Sequence, residues 1–295
     1  MKIVAAGATG FIGRPLIRLL KEQGLQLTLL SRRPVEGEKY ELWDGKAAGG
    51  WTAALEGADA LINLAGENIA EGRWTEARKK ALVDSRLDST KALVYALSTV
   101  AKKPKIFVAA SAIGFYGDRG DETLDEGSSA GSGFLAELCQ KWEDEARQAE
   151  KHGCRVVHLR TGIVLGKGGG ALGKMLLPFK LGLGGRLGPG TQWMSWISLE
   201  DELGLIRHAL LGSAAGALNA TAPNPVTNAE FTKTLGRVLH RPTALPAPAF
   251  ALKLALGEMS EMLLGGQKVL PKKALASGYI FKHPTLETAL AAATG

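Results

Sequence analysis

Cysteine is almost missing from this 295-residue chain: Cys139 and Cys154 are the only two. They form no CxxC pair, and no histidine cluster accompanies them. That excludes a disulfide framework and a structural zinc site, and no metal is expected. Long apolar runs are missing too. No stretch of about 18 apolar residues exists, so no membrane span is expected. The opening MKIVAAGATGFIG is too short and too broken by glycine for a secretory leader, so a cytoplasmic protein without a membrane partner is expected. Aromatic residues reach only 6% and are not interleaved with the basic ones, which argues against a nucleic-acid surface. The histidines, at 152, 158, 208, 240 and 283, are scattered and read as surface or satisfied core.

What the chain has in quantity is glycine, 38 residues, and positive charge, a net +7 with a pI near 9.4. Apolar residues at 45% suffice for a sizeable core, and the length permits one α/β unit with a smaller appendage. A basic balance suits an anionic small ligand, a nucleic acid or a membrane surface equally, so the position of the charges has to decide.

Strand-like and helix-like segments alternate. KIVAA (2–6), LQLTLL (25–30), ALINLA (60–65), KIFVAAS (105–111) and CRVVHLR (154–160) read as buried strands. Helical patterns follow the first strand to about Gln23, span about 75–101, and resume near Ser132 with Phe134, Leu138 and Trp142 on one face. This rhythm predicts an α/β, Rossmann-type, doubly wound parallel sheet with both faces covered. It breaks at 162–190, which holds eleven glycines. Beyond it, Ser198 and the Thr227–Glu230 capping box start helices, and prolines 242, 246 and 248 mark a linker. The expected division is a Rossmann domain over 1–225, its excursion 162–195 serving the substrate side, and a small, mainly helical domain over 226–295 with two or three short helices in its last 50 residues.

GATGFIG sets Gly7, Gly10 and Gly13 directly after a strand and at the opening of a helix, with Thr9, Phe11 and Ile12 between them. Gly7 permits the turn, Gly10 lets the backbone reach a pyrophosphate, and Gly13 lets helix and strand close up. The helix N-terminus offers N–H groups and the positive end of its dipole. The second strand then ends in Ser31-Arg32-Arg33, with no acid before Glu36. An acid there would suit the free ribose of NAD, whereas guanidinium suits the 2′-phosphate of NADP. The expected cofactor is NADP(H), with one of the two arginines, Arg33 before Arg32, open to a plain surface reading.

GATGFIG, NLAGENI (63–69), SAIGFYG (111–117), LRTGIVLG (159–166), WISLEDELG (196–204) and GQKVLPKKALASGYIF (266–281) together resemble atypical, extended short-chain dehydrogenase/reductases, specifically the epimerase-family branch with a small C-terminal domain of unknown function. The resemblance implies that Asn63, Leu64, Ala65 and Gly66 line the ribose and pyrophosphate. It also implies that Arg86 faces the cofactor, that Ala110 and Ser111 sit near the nicotinamide, that Gly162 and Ile163 lie beside the carboxamide, and that Asp44 approaches the adenine. Ala65 and Gly66 also read as a plain strand end, and Arg86 as a surface helix residue.

One departure matters for chemistry. The family's working members use a serine with a YxxxK pair, in which the lysine tunes the phenol. Here Phe134 stands where the tyrosine belongs and Leu138 where the lysine belongs. Ser111 remains to orient a carbonyl, and Tyr116 and Glu67 are the candidate proton donors, Glu67 also reading as a ligand of the cofactor ribose. From Lys151 to Leu199 there are seven Lys/Arg and no Asp/Glu, which reads either as a lid closing over an anionic substrate or as a basic surface loop. Trp193 and Trp196 offer flat walls for a ring or, for Trp196 above all, core packing. Two functions remain: an NADP(H)-dependent oxidoreductase or epimerase on a small molecule, and a catalytically silent cofactor-binding regulator. The oligomeric state stays open.

Overall fold

Strand residues in the centre of the molecule alternate strictly between two apolar layers. Ile3 and Ala5 of β1 (Lys2–Ala6) enter one layer with Leu16, Ile17 and Leu20 of helix α1 (Gly13–Glu22), while Val4 and Ala6 enter the other. That pattern requires a sheet covered on both sides, and a computed structural model describing all residues 1–295 shows one. β1 is followed by β2 (Gln26–Ser31), β3 (Tyr40–Leu42), β4 (Ala60–Asn63), β5 (Ile106–Ala112), β6 (Arg155–Thr161) and β7 (Gly216–Ala220), all parallel, in the order 3-2-1-4-5-6-7. Helices α1 and α5 (Leu199–Leu211) cover one face; α2 (Glu76–Thr99) and α3 (Phe134–Arg147) cover the other. This is the doubly wound Rossmann arrangement, with its switch point between β1 and β4.

Several helix starts carry the caps their sequences announce. Thr75 accepts from the Arg78 N–H at α2, and Ser198 from the Asp201 N–H at α5. At α6 (Asn228–Leu239), Thr227 and Glu230 form the reciprocal capping box. Asp201 does more than start its helix. Fully buried, it also accepts from the backbone N–H groups of Lys282 and His283, which ties the C-terminal segment to the sheet domain.

The glycine-rich excursion differs from a loop or hinged lid. It holds helix α4 (Gly170–Lys180), whose Leu172 and Phe179 are buried in a third apolar cluster with Trp196, Phe231, Leu235, Leu286 and Leu290. Those apolar contacts outweigh the poor helix propensity of the glycines. The cluster straddles residue 225, so the small lobe consists of the excursion and the C-terminal segment together. Helix α7 (Ala249–Leu256) and a terminal helix α8 (Leu286–Thr294) belong to it, with shorter helical turns between them. No helix is long and apolar enough to cross a membrane.

Candidate functional site

The carboxyl ends of β1, β2 and β4 converge on the GATGFIG turn. Gly7 has φ +71°, and a Cβ there would stand 2.3 Å from the Leu64 carbonyl carbon. A Cβ on Gly13 would stand 2.5 Å from Ala8 backbone. These two glycines are therefore demanded by the fold itself. Gly10 is different: its Cβ would meet only the Gly7 carbonyl oxygen at 3.5 Å, so the space above it is open. Helix α1 starts without a side-chain cap, leaving its first N–H groups free of any side-chain acceptor, with Thr9, Phe11 and Ile12 in the turn. Phe11 leans out of the turn to meet the excursion; Cβ atoms on Gly166, Gly169 or Gly170 would collide with its ring.

At the end of β2, Arg32 and Arg33 are exposed, and neither guanidinium is paired with a carboxylate. The Ser31 carbonyl accepts from Trp43 N–H, which pins β2 to the rim beyond β3. Asp44 stands on that rim with Oδ1 accepting from Lys46 and Ala47 N–H at 2.8 and 3.2 Å, and the Lys46 hydrogen bond leads in holding its pKa below the usual range.

After β4, Asn63 is buried and donates to Thr90 Oγ1 while its Oδ1 accepts from Ala65 N–H, which shapes the Leu64–Gly66 turn. Arg86 reaches the turn from α2. Its guanidinium donates to the Glu67 carbonyl at 3.0 Å, stacks 5.2 Å from the Trp142 ring, and would stand 3.2 Å from a Cβ on Gly66. The structure therefore brings Arg86 to the cleft rather than leaving it on a helix surface. The Glu67 carboxylate is bound by Arg78 at 3.0 Å.

Ser111 lies at the end of β5, beyond Ala110, and is 4% exposed. Its hydroxyl donates to Glu143 Oε1 at 2.6 Å, and Glu143 is clamped by both forks of Arg160 at 2.8 Å. Arg160 also donates to the Tyr116 hydroxyl, which in turn donates to Asn219 Oδ1 at 2.6 Å. Tyr116 is 0% exposed and burial raises its phenol pKa. A sealed phenol with its proton held by Asn219 has no path to a ligand, which corrects its expected role as a proton donor. Glu143, Arg160 and Asn219 were not singled out in the sequence. The available signal was an arginine inside the apolar strand CRVVHLRT, which requires a buried acid partner.

Gly162 and Ile163 follow β6. A Cβ on Gly162 would stand 2.5 Å from the Ser195 carbonyl oxygen, and Ile163 N–H donates to that oxygen, so this pair serves strand packing at the edge of the cleft. Beneath it, Glu202 is fully buried. Its Oε1 accepts from Thr161 at 2.8 Å, its Oε2 has no partner, and burial raises its pKa to about 8. Phe134 lies 5.2 Å from the Trp74 ring, so the wall where a tyrosine was sought is aromatic, with the Lys79 ammonium 5.9 Å from the Phe134 ring centre. Trp196 is fully buried as core, and Trp193 donates to Asp121.

A parallel sheet in 3-2-1 order, a glycine turn feeding an uncapped helix at its switch point, and free guanidinium at the end of β2 define a dinucleotide-binding Rossmann protein. The chain belongs to the NAD dependent epimerase/dehydratase family, which it matches over residues 3–219, and residues 247–293 match a domain of unknown function, DUF1731. It is 42% identical to the epimerase family protein YfhF of Bacillus subtilis, over 98% of this chain and 97% of that protein. The crystal structure of human epimerase family protein SDR39U1 (isoform 2) with NADPH superimposes with a TM-score of 0.91 at 40% identity, covering 99% of both chains. A nucleoside-diphosphate sugar epimerase from Corynebacterium glutamicum gives 0.82 at 32% identity, covering 100% of this chain and 58% of that one.

Proposed function

We propose that the chain binds NADP(H) across the carboxyl ends of β1, β2 and β4 and acts as an oxidoreductase or epimerase on a small, anionic substrate. One observation carries the cofactor: two exposed guanidinium groups without carboxylate partners stand at the end of β2, beside a turn with open space above Gly10. The NADPH in the human relative supports the same reading, and the sugar-nucleotide relative supports the substrate class. The bound nicotinamide supplies a hydride donor or acceptor.

The chain's own residues do the rest. Arg32 and Arg33 hold the 2′-phosphate, the α1 N-terminus and Gly10 receive the pyrophosphate, and Arg86 closes the ribose side from the Gly66 turn. Ser111 has committed its proton to Glu143, so toward the cleft it presents lone pairs. It accepts from a substrate hydroxyl instead of donating to a carbonyl. Glu67 is the remaining carboxyl on the cofactor rim; one of its oxygens holds Arg78 and the other makes no hydrogen bond within the protein. It is the group assigned to move the proton. A second reading, a cofactor-loaded regulator without turnover, is favoured by the sealed Tyr116 and the apolar Phe134 and Leu138. Consumption of bound NADPH against a panel of nucleotide-sugars, quinones and aldehydes, followed by nicotinamide absorbance, separates the two.

Arg32→Asp tests the cofactor assignment. Loss of one guanidinium and gain of one acid should weaken NADPH by about tenfold or more and leave NADH within about threefold. Equal losses for both nucleotides would remove the 2′-phosphate from this corner.

A further inference from the structure

Helix α7, AFALKLAL, has seven apolar residues and one lysine, yet none of the eight is buried. An apolar helix normally has a cover. Of the eleven large apolar side chains that stand exposed anywhere on the molecule, six fall here and on the neighbouring strip: Leu177, Leu181, Leu183, Leu245, Phe250 and Leu254. The two segments run side by side. Gly188 N–H donates to the Ala247 carbonyl at 2.8 Å, Ala247 N–H to the Arg186 carbonyl at 2.9 Å, and Arg241 Nε to the Lys180 carbonyl at 3.0 Å. Phe250 and Leu254 share one face of α7 a turn apart.

The same segments carry Lys174, Lys180, Arg186, Arg241 and Lys253, all exposed and none in an ion pair. There is no Asp or Glu between Glu150 and Glu200, nor between Glu230 and Glu258. We propose that this side of the small lobe docks on an anionic phospholipid bilayer. The exposures of the six apolar side chains, 54–78%, describe protruding groups that cannot enclose a small molecule. A second copy meeting this face across a twofold axis would set lysine and arginine against lysine and arginine. A nucleic acid has no use for the leucines. An anionic bilayer uses both features, receiving the apolar side chains at the acyl boundary and the cations among the headgroups. The contact is peripheral, since no helix is long and apolar enough to cross. It replaces the expectation of no membrane partner and stands independently of the reaction.

Flotation of the full-length chain with vesicles tests this. The wild type should float with vesicles of equal parts phosphatidylcholine and phosphatidylglycerol and stay behind with phosphatidylcholine alone, and added salt should release it. Leu254→Glu and the pair Lys180→Glu/Arg186→Glu change only exposed side chains. Each should keep the wild-type melting curve while weakening flotation, by about fivefold or more per cation removed. Absence of flotation with the anionic vesicles, or flotation indifferent to these variants, would overturn the proposal. So would a wild-type dimer in sedimentation equilibrium that Leu254→Glu dissolves, which would assign the face to a second copy.

Discussion

Glu202 and His158 are buried ionisable groups with opposite consequences. In the folded chain the Glu202 carboxyl titrates near 8 instead of 4.5, because burial disfavours its charge. The unfolded chain gives up that proton far earlier. Its contribution is therefore complete below 4.5 and is lost as pH rises through 8, with a slope approaching about 1.4 kcal/mol per pH unit. Glu202→Gln should raise stability over wild type at the alkaline end of this window and leave it nearly level at the acid end, as read by urea denaturation at both. His158 is buried with neither ring nitrogen bonded, and burial lowers its pKa from 6.5 to about 4. Its contribution is present above 6.5 and lost as pH falls through 4. The Glu143–Arg160 pair sets the other residue-scale expectation. Glu143→Ala strands a buried guanidinium and frees the Ser111 proton, so it should destabilise by about 3–5 kcal/mol in chemical denaturation. Little of this buried network was legible in the sequence, because a charged residue announces that it needs a partner without saying which of many acids the fold delivers. The glycine turn after β1 and the arginine pair at the end of β2 were legible as positions, because a strand–turn–helix pattern depends on neighbours a few residues away.

The elements around the cleft separate glycines that the fold requires from a glycine that it leaves open. Gly7→Ala places a Cβ 2.3 Å from Leu64 backbone at φ +71°. It should cost about 2–4 kcal/mol and lower the melting temperature. Gly10→Ala meets nothing closer than 3.5 Å, so melting should stay near wild type while NADPH binding weakens. Five of the seven sheet strands were legible as apolar runs. β3 and β7 were not: YEL is three residues long, and GALNA is small and part polar, so each is a strand only through its pairing with β2 or β6. Helix α4 was hidden by its glycines, and what forms it is the burial of Leu172 and Phe179 against Trp196 and against residues some 50 to 120 positions further on.

For the molecule as a whole, the loop after β4 and the first turn of α2 form one of the links between cofactor cleft and small lobe. Arg73 donates to the carbonyls of Leu254 and Ala255 at the end of α7, where a cation also meets the negative end of the helix dipole, and Lys79 pairs with Glu258 at 2.9 Å. Arg73→Ala should raise hydrogen exchange across α7, by a local loss of about 1 kcal/mol, and leave the central sheet protected. The C-terminal half of the small lobe thus leans on this segment, and so does the excursion, through Lys174 donating to the Ala70 carbonyl; the expected division at 225/226 puts the excursion with the Rossmann domain instead. The central claim concerns what the cofactor cleft holds. Isothermal titration calorimetry of the nucleotide-free, full-length chain with NADPH and with NADH tests it most directly. Saturable binding of NADPH, tighter than NADH by about tenfold or more, is the expected result; no heat with either nucleotide would contradict it.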